Sequence, residues 1–290
     1  MERRAFGNTG LSVSVLGFGA TAVGDPSMPE YEAERVLNSV VDTGVNVIDS
    51  ARSYGKSEER IGKYLKHRRS EVVLSTKVGY GIPGYQDWTG PCIRAGIEFA
   101  LRLMQTDCID IVHFHSCPLP VLQQEENLEA LSEGVRSGKI RVAAYSGDNE
   151  PFDWALHSGR FAGLQTSISV CDQRAIPAAA IALERGIGII AKRPLANAPW
   201  RFSEPPVGDS AAVAYWQRWH TMRLNLNNME PSELFLRFVA YLPGVNCCLV
   251  GTGNLEHLKQ NIQIVEKGKL PDDTISSIRA AFQNDWAGEI

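Results

Sequence analysis

Eight times in succession this chain passes from a short β-branched run into an amphipathic helical pattern. The strand-like runs fall at 16–20, 45–48, 72–77, 109–114, 139–145, 163–166, 187–191 and 245–250. After the first, Ala33, Val36, Leu37, Val40 and Val41 recur at helical spacing until Gly44 ends the pattern. Ser57, followed by Glu58 and Glu59, reads as the N-cap of the second helix. Further helical patterns cover 93–104, 127–135, 152–157, 176–185, 232–241 and 255–265, and an amphipathic piece at 272–282 closes the chain. Units of about 36 residues with no linker between them predict one parallel sheet. Eight of them in about 250 residues is the arithmetic of an α/β (β/α)8 TIM barrel. An open doubly wound sheet is the alternative. A β-hairpin over 4–15, turning at 7–10, is expected before the first strand. One interruption rich in Trp and Pro, 197–229, follows the seventh strand.

Composition narrows the class. With 290 residues, 44% hydrophobic and 21% charged, the chain reads as one globular domain over 1–290. A formal net charge of −4 and no basic block argue against a nucleic-acid or anionic-membrane surface. No apolar run approaches the roughly 18 residues that a bilayer span needs. Six cysteines are scattered without a CxxC pair, which predicts reduced, buried thiols and a cytoplasmic protein. The start, Met1-Glu2-Arg3-Arg4, lacks the apolar stretch of a secretory or twin-arginine signal.

In such a barrel the chemistry gathers at the C-terminal ends of the strands. Asp49, Lys77, His115, Ser146, Gln165, Lys192 and Gly251 end strands two to eight, so they are expected on one rim. Tyr54 lies five residues beyond Asp49. A phenol is a poor acid near pH 7; a cation beside it makes it a better one, and a carboxylate can hold that cation in place. Tyr54 by itself would be an ordinary half-buried aromatic, and Lys77 by itself a surface lysine. Their register with Asp49 and His115 carries the catalytic reading.

These residues resemble the aldo-keto reductase superfamily almost from end to end. The similarity rests on Thr9-Gly10-Leu11-Ser12 with Leu16-Gly17-Phe18-Gly19, and on Asn46-Val47-Ile48-Asp49-Ser50-Ala51 with Tyr54-Gly55. Leu74-Ser75-Thr76-Lys77 and Asp110-Ile111-Val112-His113-Phe114-His115 complete it. The resemblance implies an oxidoreductase that interconverts aldehydes or ketones with alcohols on a nicotinamide cofactor. Tyr54 would donate the proton, Lys77 would strengthen it as an acid, Asp49 would pair with Lys77, and His115 would orient the carbonyl or help relay the proton.

For the cofactor, the resemblance places Ser146 and Gln165 at the nicotinamide amide, and Lys192, Arg193, Pro194 and Leu195 beside the ring and pyrophosphate. Gly251, Thr252, Gly253, His257 and Asn261 would lie at the adenosine phosphate, where a helix N-terminus suits an anion. Four positions depart from the family pattern. Gly147 replaces an asparagine, Lys192 a stacking tyrosine, and Gly251 and His257 stand where other branches carry lysine and arginine. NADPH is favoured over NADH by family habit. An NAD-linked sugar dehydrogenase working oxidatively is the first alternative, suggested by the 110–115 strand. A cofactor-binding regulatory subunit, as in potassium channels, is the second.

Other motifs read as structural. Gly17 to Ala22 satisfies GxGxxA, but the prolines that follow delay the helix, so the Rossmann phosphate geometry fails. Its glycines, with Thr21, instead let a cofactor approach the first strand's end. His113 and His115 form an HxH pair that could ligate zinc, yet further ligands are wanting, so no metal is expected and His113 reads as an interior residue below His115. Cys117 reads as a rim residue rather than a nucleophile. Trp88, Trp200, Trp216 and Trp219 are expected to pack the insertion, with Trp88 and Trp200 also candidates for a substrate pocket. The substrate is a small molecule, set by the loops at 80–91 and 197–229 and by the C-terminal tail.

Overall fold

The structure is a computed structural model that describes residues 1–226 and 228–286. Asn227, within the interruption, lies outside the described residues. A hairpin of β1 (Arg3–Ala5) and β2 (Ser12–Ser14) precedes eight parallel strands. These are β3 (Leu16–Gly19), β4 (Val47–Asp49), β5 (Val73–Val78), β6 (Ile109–His115), β7 (Ile140–Ser146), β8 (Gly163–Ser167), β9 (Gly188–Lys192) and β10 (Cys247–Val250). β10 pairs with β3 and closes the barrel, so the doubly wound alternative is excluded.

Side chains of a strand alternate between its two faces. In β5, Leu74, Thr76 and Val78 point outward, while Val73, Ser75 and Lys77 climb the inner face. The same step places Ile111, His113 and His115 on the inside of β6, and Val47 and Asp49 on the inside of β4. The interior therefore grades from apolar at the N-terminal end to polar at the C-terminal end. The apolar end is a small core in which Val47, Val73, Ile111, Val142, Ile190 and Cys247 meet Phe6, Leu11 and Val13 of the hairpin. Phe6 fits because β8 and β9 begin with glycine. A Cβ on Gly188 would stand 2.4 Å from its ring, and one on Gly163 2.9 Å. The hairpin thus packs into one end, and the mouth of the barrel lies at the other.

Gly17 also faces inward, where a Cβ would meet Cys247 and Leu249 at 2.7 Å. Its smallness serves barrel packing; only Gly19, two residues on, lines the open end. This divides the cofactor expectation for the two glycines. Most helices lie within a few residues of their expected limits. The third begins earlier, at Gly90, because Thr89 caps it by accepting from the Cys92 N–H. Ser57 does not cap its helix. It is the first helical residue, and its hydroxyl pairs with that of Ser50 at 2.8 Å. The interruption holds a helix, Ser210–Met222, capped by Asp209. Trp219 packs it against Trp200 and Phe235. The six cysteines are free, and five are buried.

Candidate active site

The mouth opens on a cavity of about 820 Å³. The inner-face residues at the strand ends become its floor. Strand register aligns Asp49 with Ser75, Lys77 with His113, His115 with Ser146, and Ser146 with Gln165. Tyr54 enters from the loop after β4. That loop sits close on the segment before the first helix, since a Cβ on Gly24 would stand 1.8 Å from the Tyr54 carbonyl oxygen. Gly55 takes φ +52° beside the Gly24 carbonyl, a conformation that costs a side-chain-bearing residue about 1–2 kcal/mol.

Lys77 Nζ donates to Asp49 Oδ2 at 2.7 Å and to the Ser50 carbonyl at 2.7 Å. Both side chains are buried, each residue 2% exposed. Burial opposes either charge, but each offsets the other's penalty. The net result raises the pKa of Lys77 and lowers that of Asp49, so the two stand as an ion pair. Asp49 Oδ1 accepts from Ser75 Oγ at 2.7 Å and from Gln165 Nε2 at 3.1 Å, and Gln165 Oε1 accepts from Ser146 Oγ at 2.8 Å. The carboxylate is thus bonded on both oxygens and aimed at one cation. Lys77 Nζ is 4.9 Å from the Tyr54 ring centre, and the Tyr54 ring meets His115 edge-on at 6.4 Å.

Burial brings His115 down to a pKa of about 4, helped by the charges of Lys77 and Lys192. It is neutral at pH 7. His113, fully buried beneath it and 3.1 Å from Ser75 Oγ, is held at about 3. No group of three or more His, Cys, Asp or Glu side chains among the described residues has metal-binding geometry. Burial pushes the Cys117 thiol up to about 12, far from a nucleophile's range.

The cavity wall gathers most of the remaining expected residues: Thr21, Pro194, Leu195, Gly251, Thr252, His257, Asn261 and Trp200, with Ser146, Gln165, Lys192 and Arg193. Gly253 and Trp88 are not part of this wall. A Cβ on Gly253 would face Met28, and Trp88 lies across Gly79 and against Phe114. The segment after β9 carries Arg193, Ala196, Asn197 and Ala198 at φ between 46° and 58°, where side-chain-bearing residues are strained.

Two residues escaped the sequence reading. Asp148 is the first: its Oδ2 lies 2.9 Å from Lys192 Nζ, and its oxygens also accept from Thr166 Oγ1 and the Ser167 N–H. Lys192 is therefore tethered, not a free replacement for an aromatic ring. A carboxylate two residues after Ser146 was the available signal. Tyr80 is the second, three residues past Lys77, with its hydroxyl 2.7 Å from His115 Nδ1. Gly147 has no room for the family's asparagine, because a Cβ there would stand 2.2 Å from the Tyr145 hydroxyl.

A closed barrel with a tyrosine, a carboxylate-held lysine and a histidine at its mouth defines a class of oxidoreductase. The sequence model of the Aldo/keto reductase family matches residues 15–283, and the chain belongs to that family. It is 26% identical over 311 residues to the L-galactose dehydrogenase of Arabidopsis thaliana, covering 98% of this chain and 95% of that one. It is 32% identical over 307 residues to the uncharacterized oxidoreductase YrpG of Bacillus subtilis, covering 92% and 91%. The holo form of the aldo-keto reductase AKR11C1 from Bacillus halodurans superposes with a TM-score of 0.86 at 26% identity, covering 98% and 97%. No helix among the described residues is long and apolar enough to cross a membrane.

Proposed function

We propose that this oxidoreductase interconverts aldehydes or ketones with alcohols, using NAD(P)H and Tyr54 as the proton donor. The observation that carries the reading is the placement of Tyr54 and His115 over one cavity, with Lys77 pinned by Asp49 beneath the phenol. Lys77 favours the phenolate left when Tyr54 gives up its proton. Asp49 keeps that ammonium in place, and neutral His115 is free to hydrogen-bond a substrate oxygen.

A nicotinamide dinucleotide fits the same cavity. Gly19 and Gly251 face each other, the Gly251 Cβ position being 3.4 Å from the Gly19 carbonyl oxygen, which leaves a side of the mouth bare of side chains. Lys192, Arg193, Arg201 and His257 line the wall as donors suited to phosphate. Ser146 and Gln165 would hold the nicotinamide amide, and His257 and Asn261 would lie near the adenosine phosphate. The bound dinucleotide supplies the hydride, and the protein positions the substrate and moves the proton. Fluorescence titration with NADPH and NADH, on wild type and His257→Ala, tests this. Tight NADPH binding that weakens in the variant is expected; binding of neither nucleotide would overturn it.

A second reading, oxidation of a sugar with NAD, is favoured by the full-length similarity to L-galactose dehydrogenase. Turnover of aldoses with NAD that exceeds reduction of simple aldehydes would select it.

A further inference from the structure

His115 has a partner that the chemistry proposed above does not use. The Tyr80 hydroxyl lies 2.7 Å from His115 Nδ1 and 3.2 Å from Ser53 Oγ. The two rings stack at 5.5 Å with 21° between their planes. Trp88, 5.9 Å from the Tyr80 ring and tilted against it, is itself placed by its backbone N–H, which donates to the Gly79 carbonyl at 2.6 Å.

A neutral imidazole carries one N–H, and which nitrogen holds it is decided by the hydrogen bond the other nitrogen makes. Burial keeps His115 neutral. The Tyr80 hydroxyl has one hydrogen and two neighbours. An imidazole nitrogen is a better acceptor than a serine oxygen, and a phenol O–H is a better donor than a neutral imidazole N–H. The shorter contact is also the one to Nδ1. Ser53, exposed to solvent, makes the longer and weaker of the two contacts. His115 is left with its single hydrogen on Nε2, as a donor.

We propose that Tyr80 is a positioning residue that holds His115 in the Nε2–H tautomer and in one ring orientation, so that the imidazole presents a donor to a carbonyl oxygen. The inference rests on His115 as the carbonyl-orienting group. Tyr80→Phe removes the hydroxyl and keeps the stacked ring.

The test has two independent arms. In nucleotide-free protein, side-chain ¹⁵N shifts of His115 are expected to report one Nε2–H tautomer in wild type and a mixture in Tyr80→Phe. A wild-type Nδ1–H signal, or shifts untouched by the substitution, would overturn the proposal. In steady state, Tyr80→Phe is expected to lower kcat for an aldehyde about tenfold, the size of one hydrogen bond, with nucleotide KM unchanged. In a His115→Ala background the same change is expected to cost nothing more; an equal loss there would overturn it. A wild type that binds nucleotide yet reduces no aldehyde would defeat the functional reading, while the ¹⁵N arm still decides Tyr80.

Discussion

Asp49 Oδ2 and Lys77 Nζ are 2.7 Å apart, on neighbouring strands, with almost no solvent around either. Their pairing has consequences for stability as well as for chemistry. Removing one partner of a buried ion pair leaves the other uncompensated, at about 3–5 kcal/mol, whereas removing both is far milder. Lys77→Met is expected to lower urea stability by that amount. Asp49→Asn combined with Lys77→Met should recover much of it without recovering turnover. A double variant as unstable as the single one would show that the pair is not coupled.

Tyr54→Phe deletes only a hydroxyl at the mouth. Turnover is expected to fall on the order of 10² or more, the scale of a lost general acid. Nucleotide affinity, measured by fluorescence, should stay within about twofold, since uniform binding is untouched. Undiminished turnover would remove Tyr54 from the chemistry.

His115, with its pKa brought down to about 4 by burial, is already neutral across the physiological range. The pH profile of kcat/KM should therefore show no inflection near the ordinary histidine value of about 6.5. Activity dependent on the neutral ring is lost only as pH falls through about 4. An inflection near 6.5 that disappears in His115→Gln would contradict the burial argument.

Asp172 is 1% exposed, and its Oδ2 has no hydrogen-bond partner among the described residues. Burial, with the Asp148 charge adding to it, raises its pKa from 3.8 to about 7. The native state thus binds this proton more tightly than the unfolded chain does. The advantage is full below 3.8 and disappears as pH rises through about 7, a swing on the order of 4 kcal/mol. Asp172→Asn should be more stable than wild type at pH 8, with the gap closing towards pH 4. Urea titrations at the two pH values measure this, and a gap that is the same at both would refute it.

Gly147→Asn would restore the family's residue, yet its Cβ collides with the Tyr145 hydroxyl at 2.2 Å. Tyr145 is buried, and its hydroxyl donates to the Cys117 carbonyl at 3.2 Å, so it has little freedom to move. Both Gly147→Ala and Gly147→Asn are expected to lose about 1–3 kcal/mol in thermal unfolding, the usual cost of overpacking. A variant as stable as wild type would show that Tyr145 rotates aside.

The barrel and its rim were legible in the chain because both rest on periodicity. Val73, Ser75 and Lys77 share a face by the twofold step of a strand, and the strand-helix alternation brings each strand end to one side. Local signals were less reliable wherever a neighbour distant in sequence intervened. Ser57 has the chemistry of an N-cap, but Ser50 engages its hydroxyl. Gly17 has a phosphate-loop spacing, but Cys247 and Leu249 account for its missing side chain. Trp88 belongs to a divergent loop, but it packs on Gly79 and Phe114 instead of lining the cavity.

By itself the amino-acid order determined the eight-unit fold, the polar strand ends and the residue types of the proposed acid, the cation and the carboxylate, because each follows from local pattern. The tertiary structure alone decided which groups are charged or neutral and what each one touches. Burial neutralises His115, Asp148 tethers Lys192, and Tyr80 reaches Nδ1 from the next loop. Desolvation and hydrogen bonding depend on atoms that meet only when the barrel closes, and no spacing along the chain encodes them.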